Sequence, residues 1–213
     1  MNSNVQRFDL ATGIPKDGWN ALNANAARAN VILPHAEKVF GLQKFIPRIV
    51  APEQLWLVYT QPGTSNIKFI LSCTEGSQGK YPLFIVPTAP IAELTPELLK
   101  SPMEALCNAL LNEPGFRKQR VFSVFSVKSV AQAFALAWEE LAETNCIKEP
   151  YYDAIFTMCS KKTLAPPEPE VDVLRLADDQ DAETIGVLCR EFAATSVCLL
   201  HSPLEQAFMD ENL

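Results

Sequence analysis

This chain is poor in imidazole. Two histidines, His35 and His201, are all that its 213 residues contain. The six cysteines (Cys73, Cys107, Cys146, Cys159, Cys189 and Cys198) form no CxxC pair. Metal sites draw their ligands from such clusters, so none is expected. Most of the cysteines lie inside apolar patterns, as Cys107 does between Leu106 and Leu110, and read as reduced core residues. Ser72, Ser123 and Ser126 have no His–Asp arrangement around them, which argues against a hydrolase triad.

Clustered positive charge is missing as well. Eighteen Lys and Arg face 25 Asp and Glu, a net charge of −7, and the basic residues are scattered. Binding a nucleic acid or an anionic lipid surface requires a concentrated cationic face, so neither partner is expected. An anionic coenzyme stays open, because backbone N–H groups at a helix N-terminus hold phosphate without many lysines. No stretch approaches the ~18 apolar residues of a membrane span. The opening residues, Met1-Asn2-Ser3-Asn4-Val5-Gln6-Arg7-Phe8-Asp9, lack the apolar centre of a signal peptide. The expected location is therefore cytoplasmic or nuclear. There is no low-complexity tract.

What is present is the composition of an ordinary globular protein. Hydrophobic residues make up 48% and charged residues 20%, enough apolar surface for a core. The length suits one large domain, or one domain and part of another.

Residues 1–20, with Gly13, Pro15 and Gly18, read as an irregular lead-in. Residues 21–40 read as a helix that Pro34 kinks or divides. Pro47 and Pro52 bracket a loop. Three strands follow at 55–60, 67–73 and 81–87, joined by a short Gln61 to Asn66 link and a turn at Gly76 and Gly79; they read as an antiparallel meander. Residues 95–111 read as a helix, with Thr95 a plausible N-cap and Pro96 at the first position, while Ser101-Pro102 repeats the same start signal. Residues 120–127 carry apolar side chains on both faces and read as a central strand. Val130, Phe134, Ala137, Trp138 and Leu141 recur at helical spacing over 130–142. Residues 151–160 read as the last strand of this unit.

Residues 163–170, Thr-Leu-Ala-Pro-Pro-Glu-Pro-Glu, form a stiff proline-rich linker. Beyond it, 171–176 alternates like a strand. Asp178 or Asp179 caps a helix running to about Ala194, with Ile185, Leu188, Cys189 and Phe192 on one side. The expected organisation is a domain at 1–162, a linker at 163–170, and the incomplete start of a second domain at 171–213.

The order of elements, with Phe69-Ile70-Leu71-Ser72-Cys73-Thr74-Glu75-Gly76, Arg120-Val121-Phe122-Ser123-Val124-Phe125 and Glu149-Pro150-Tyr151-Tyr152, resembles a GNAT-type acyl-CoA N-acyltransferase. The likeness spans about two thirds of the chain, from Ala21 to Lys162. The second start, Val173-Leu174-Arg175-Leu176-Ala177-Asp178-Asp179, is similar to the opening of another such domain, as in fungal-type tandem GNAT-related proteins. The resemblance implies an α/β (α+β) fold with a mixed, largely antiparallel, twisted sheet flanked by helices. It implies transfer of an acyl group from acetyl-CoA or another acyl-CoA to a small-molecule or peptide amine. The alternative is a non-catalytic GNAT-like binding or interaction module.

In the family a glycine-rich loop after the third meander strand closes on the coenzyme pyrophosphate. At that position stand Thr88, Ala89, Pro90, Ile91, Ala92, Glu93, Leu94, Thr95 and Pro96, with no glycine among them. Thr88, Ala89, Ile91 and Ala92 are the candidate cofactor-binding residues by this placement. Glu75, ending a strand before Gly76, is a candidate general base, and Tyr151 and Tyr152 are candidate substrate contacts. Trp138 falls where the family often has an acidic tyrosine, a role an indole cannot fill. For Glu75, Tyr151, Tyr152, His35 and Trp138 a plainly structural role competes with each functional one.

Overall fold

Three strands with apolar residues on both faces set the architecture. The computed structural model describes residues 4–9, 11–42, 55–76, 79–150, 152–155 and 175–196. Among these, one sheet has five strands in the order β1 (Val5–Phe8), β2 (Leu55–Thr60), β3 (Ile67–Cys73), β6 (Leu83–Pro87) and β7 (Val124–Phe125). A separate hairpin joins β4 (Glu75–Gly76) to β5 (Gly79–Lys80). Neighbours in the main sheet are antiparallel except β6 and β7, which are parallel. A parallel pair needs a crossover, and the chain between them supplies α4 (Pro96–Leu111). The fold is α+β, a mixed and largely antiparallel sheet flanked by helices.

The period-2 pattern divides the strands between two cores. Leu55, Leu57, Tyr59, Phe69, Leu71, Cys73, Leu83 and Ile85 pack against α4 and α5 (Lys128–Leu141). Their register stacks Leu57 on Leu71 and Leu71 on Ile85. Trp56, Val58, Ile70 and Val86 face the other way, with Leu22, Ala29, Ile32 and Ala36. Those four belong to α1 (Lys16–Ala24), α2 (Ala26–Ala29) and α3 (Ile32–Leu42). The turn between β2 and β3 requires Gly63, whose φ of 73° suits a residue without Cβ.

Several sequence expectations need correction. Residues 5–8 are not irregular; they form an edge strand whose register pairs Val5 with Tyr59 and Phe8 with Trp56. Adjacent Gln6 and Arg7, both exposed, hide it, as polar residues on an edge strand do. The helix expected at 21–40 begins at Lys16 and breaks at Asn25 and at Asn30–Val31, not at Pro34. Pro34 sits in the first turn of α3, where its missing N–H has no intrahelical partner to lose. The segment 120–127 is no central strand: only Val124 and Phe125 pair, at the edge of the sheet. Arg120 explains the difference, because its buried guanidinium turns inward to the carbonyls of Thr74 (2.7 Å) and Tyr81 (2.9 Å). Helix α4 starts at Pro96 and runs through Pro102. Thr95 caps it through its carbonyl, which accepts from the Leu98 and Leu99 N–H groups, and not through its hydroxyl.

The last strand expected at 151–160 is absent over 152–155, where Tyr152 and Ile155 are exposed. Tyr151 and 156–160 lie outside the described residues, as does the linker at 163–170. Of the cysteines, Cys73 and Cys107 are buried as expected, Cys146 is half-buried and Cys189 is exposed. Cys159 and Cys198 lie outside the described residues.

The chain divides into two compact units, Met1–Asp153 and Ala154–Leu213. In the second, Arg175 and Leu176 of the strand expected at 171–176 are not in a strand, and 171–174 are not among the described residues. Helix α6 (Ala182–Ser196) follows a short 3-10 turn. Asp178 caps that turn in a reciprocal box with Asp181, and Arg175 grips both Asp181 oxygens at 2.7 Å. Ile185, Leu188 and Phe192 of α6 are exposed.

Candidate functional site

The loop at the coenzyme position is tied to its own protein. The Thr88 hydroxyl donates to the Ile67 carbonyl at 2.5 Å, and the Thr88 backbone N–H donates to the Lys68 carbonyl at 3.0 Å. Arg28, from α2, donates one nitrogen to the carbonyls of Pro87 (3.2 Å) and Ala89 (2.6 Å). Residues Ile91–Glu93 close a 3-10 turn whose Glu93 carboxylate pairs with Lys68 at 2.8 Å. The loop thus turns carbonyls toward a cation. Pro90 and Pro96 lack N–H donors, and Glu93 and Glu97 place carboxylates at the start of α4. A pyrophosphate set on this N-terminus would meet negative charge where it needs converging donors. The residues present do not fit the coenzyme in the manner that the resemblance implies. Ala89 is buried, and Ile91 and Ala92 are exposed.

The other candidates do not converge there. Glu75 is half-buried in the small β4–β5 hairpin, in register with Lys80. Tyr152 is exposed. Trp138 stacks on Phe134, with ring centroids 6.0 Å apart and planes 9° from parallel, inside the α4–α5 core. Ser126 donates to the Ile85 carbonyl at 2.6 Å, and Ser123 gives its own carbonyl to the Leu83 N–H. Cys107 is no nucleophile, since burial pushes its thiol up to about 12.

A different place has the marks of a site. A cavity of about 250 Å³ lies on the α1–α3 face, lined by Val31, Ile32, His35, Ser72, Thr74, Tyr81 and Phe84. Helix α3 supplies His35; the end of β3 supplies Ser72 and, just beyond it, Thr74; the start of β6 supplies Phe84. Ser72 is 1% exposed, yet its hydroxyl has no hydrogen-bond partner. The His35 Nε2 atom is buried and also without one. The His35 ring meets Tyr81 edge-on, with centroids 5.5 Å apart. Burial first, and the Lys38 charge second, hold the His35 imidazole below its usual range. It is therefore neutral near pH 7, with one nitrogen able to donate and the other to accept.

The register sharpens the anomaly at Ser72. Phe8, Trp56, Ser72, Phe84 and Phe125 are successive cross-strand partners. One serine thus interrupts a row of four aromatic residues. Trp56 beside it also carries a buried indole N–H without a partner. Nothing in the run Phe69 to Cys73 marks Ser72 as a member of a site with His35, because the two meet only through the packing of α3 on the sheet. The signal that the sequence does hold is a hydroxyl inside a strand buried on both faces.

Comparison with protein-family models, with curated proteins and with solved structures returns no match for this chain. Among the described residues no helix is long and apolar enough to cross a membrane, and no group of three or more His, Cys, Asp or Glu is placed to hold a metal.

Proposed function

We propose that this chain is a GNAT-type N-acyltransferase homologue whose coenzyme loop has lost its phosphate cradle. The observation that carries the reading is the order of its elements. A strand and helices come first, then the antiparallel run β2–β3–β6, then α4, the parallel strand β7 and α5. That is the order the resemblance leads one to expect through the second parallel strand. The activity that goes with this descent is acyl transfer from an acyl-CoA, acetyl-CoA foremost, to an amine on a small molecule or peptide.

A second reading is favoured by a specific observation. The 88–96 loop is proline-interrupted, acidic and engaged by Arg28 and Lys68. It supports a non-catalytic module that keeps the scaffold and binds a ligand or partner elsewhere. Calorimetric titration with acetyl-CoA separates the two. Saturable heat with a matching thermal shift at millimolar ligand or below upholds the transferase reading. Neither signal at millimolar ligand removes it and leaves the module.

A further inference from the structure

We propose that the cavity between α3 and the β3–β6 strand ends is a binding site for a small, uncharged, partly aromatic molecule that both donates and accepts a hydrogen bond. The anchors are the Ser72 hydroxyl and the His35 Nε2 atom, two buried polar groups that belong to lining residues of the cavity and lack partners within the protein. Leaving a buried hydroxyl unpaired costs stability, and a serine at 1% exposure in a row of aromatics could have been replaced by an apolar residue without loss to the fold. A ligand that completes both groups explains why a hydroxyl stands there.

The lining defines the ligand's chemistry. Val31, Ile32, Tyr81 and Phe84 present apolar and aromatic surface. No residue that lines the cavity is a carboxylate, a lysine or an arginine. A bound carboxylate or ammonium would lose hydration with no charged side chain in the lining itself to meet it, which disfavours both. The cavity volume is about 250 Å³. It sits just below the usual range for drug-sized ligands, so the occupant has on the order of eight to ten non-hydrogen atoms. A single aromatic ring with one amide or hydroxyl group meets every one of these conditions. The site stands apart from the 88–96 loop, and this inference holds under either reading of the function.

Benzamide is the probe, with benzoate and benzylammonium as charged controls of nearly the same shape. Trp56, the cross-strand partner of Ser72, gives a fluorescence readout in a Trp19→Phe/Trp138→Phe background, and calorimetry on the unaltered chain gives a second. Benzamide is expected to bind with a Kd of about 1 mM or tighter. The charged controls should bind at least about tenfold more weakly at pH 7. Ser72→Ala should weaken benzamide about tenfold while leaving the unfolding midpoint equal to that of the wild type or above it, since the substitution deletes an unpaired group. His35→Phe should weaken it by a similar factor. Failure of benzamide to saturate at tens of millimolar overturns the proposal. So does equal binding by the charged controls, or a Ser72→Ala chain that binds benzamide as the wild type does. A Ser72→Ala chain that is clearly destabilised also overturns it, because the hydroxyl would then be structural. Because acetyl-CoA is titrated separately, a negative result there leaves this outcome untouched.

Discussion

The two faces of the sheet are built to different standards. The face under α4 and α5 is closed by two long helices whose buried residues, Leu99, Met103, Leu106, Leu110, Val130, Phe134 and Trp138, interlock with alternate residues of β2, β3 and β6. The face under α1–α3 is covered by a helix broken twice, and it holds the cavity and the partnerless groups of His35, Trp56 and Ser72. The same three strands serve both. The difference therefore comes from what covers them, and it separates a face closed by two long helices from one that keeps a cavity and unpartnered polar groups.

The contrast yields a ranked set of expectations. Phe134→Ala, at 1% exposure and stacked on Trp138, should cost about 3–5 kcal/mol in urea unfolding. A loss below about 1 kcal/mol would mean that the closed face is no better packed than the open one. Arg120→Met removes the donors to Thr74 and Tyr81 and should cost about 2–3 kcal/mol. Loss of amide protection in the β4–β5 hairpin should accompany it, and hydrogen exchange reads that directly. Acidification probes the open face. The His35 pKa is depressed in the folded protein from its ordinary value of 6.5, so below that pH the unfolded chain binds the proton that the folded chain refuses. The stability contributed is full above about pH 6.5 and is lost as pH falls toward the folded value. The groups around the ring are Lys38 on its own helix and Tyr81, Ser72 and Thr74 across the cavity. The unfolding midpoint should drop between about pH 7.5 and about pH 5.5, and His35→Gln should remove a measurable part of that slope. An unchanged slope would show the ring to be freely hydrated. The smallest effect belongs to Ser72→Ala, expected within about 0.5 kcal/mol of wild type or on the stabilising side.

The closed face was legible in the sequence and the open one largely was not. Nearly continuous apolar runs over 55–60 and 67–73 and helical spacing over 130–142 report local geometry, and the structure repeats them within a few residues. Pro96 and Thr95 mark the start of α4 through backbone constraints that act on neighbours. By contrast, β1 reads Val-Gln-Arg-Phe, and its pairing with β2 depends on residues far along the chain. The short β7 was overread because Phe122 and Val124 look like core, whereas Phe122 is exposed and Val124 half-buried. His35 and Ser72 were each weighed alone, and neither carries a signal until helix packing brings them to one cavity. Glu75 and Tyr152 stand at expected strand ends, which are common places for chemistry, but that position says nothing about convergence.

The edge strand β1 has a consequence for how the protein guards itself. It joins β2 across about fifty residues of intervening chain, whereas β2 and β3 are linked by a tight turn, so its docking closes a far larger loop. What fastens it is Arg7, bonded to Asp9 at 2.8 Å and to Glu113 at 2.7 Å. The Thr12 backbone N–H leads in holding the Asp9 carboxyl down to about 2, so the Asp9 arm of the clasp stays ionised in mild acid. Dissolved salt, by contrast, screens it. A concentrated electrolyte would thus loosen the clasp and leave the strand to its ladder with β2 and to the packing of Val5 and Phe8.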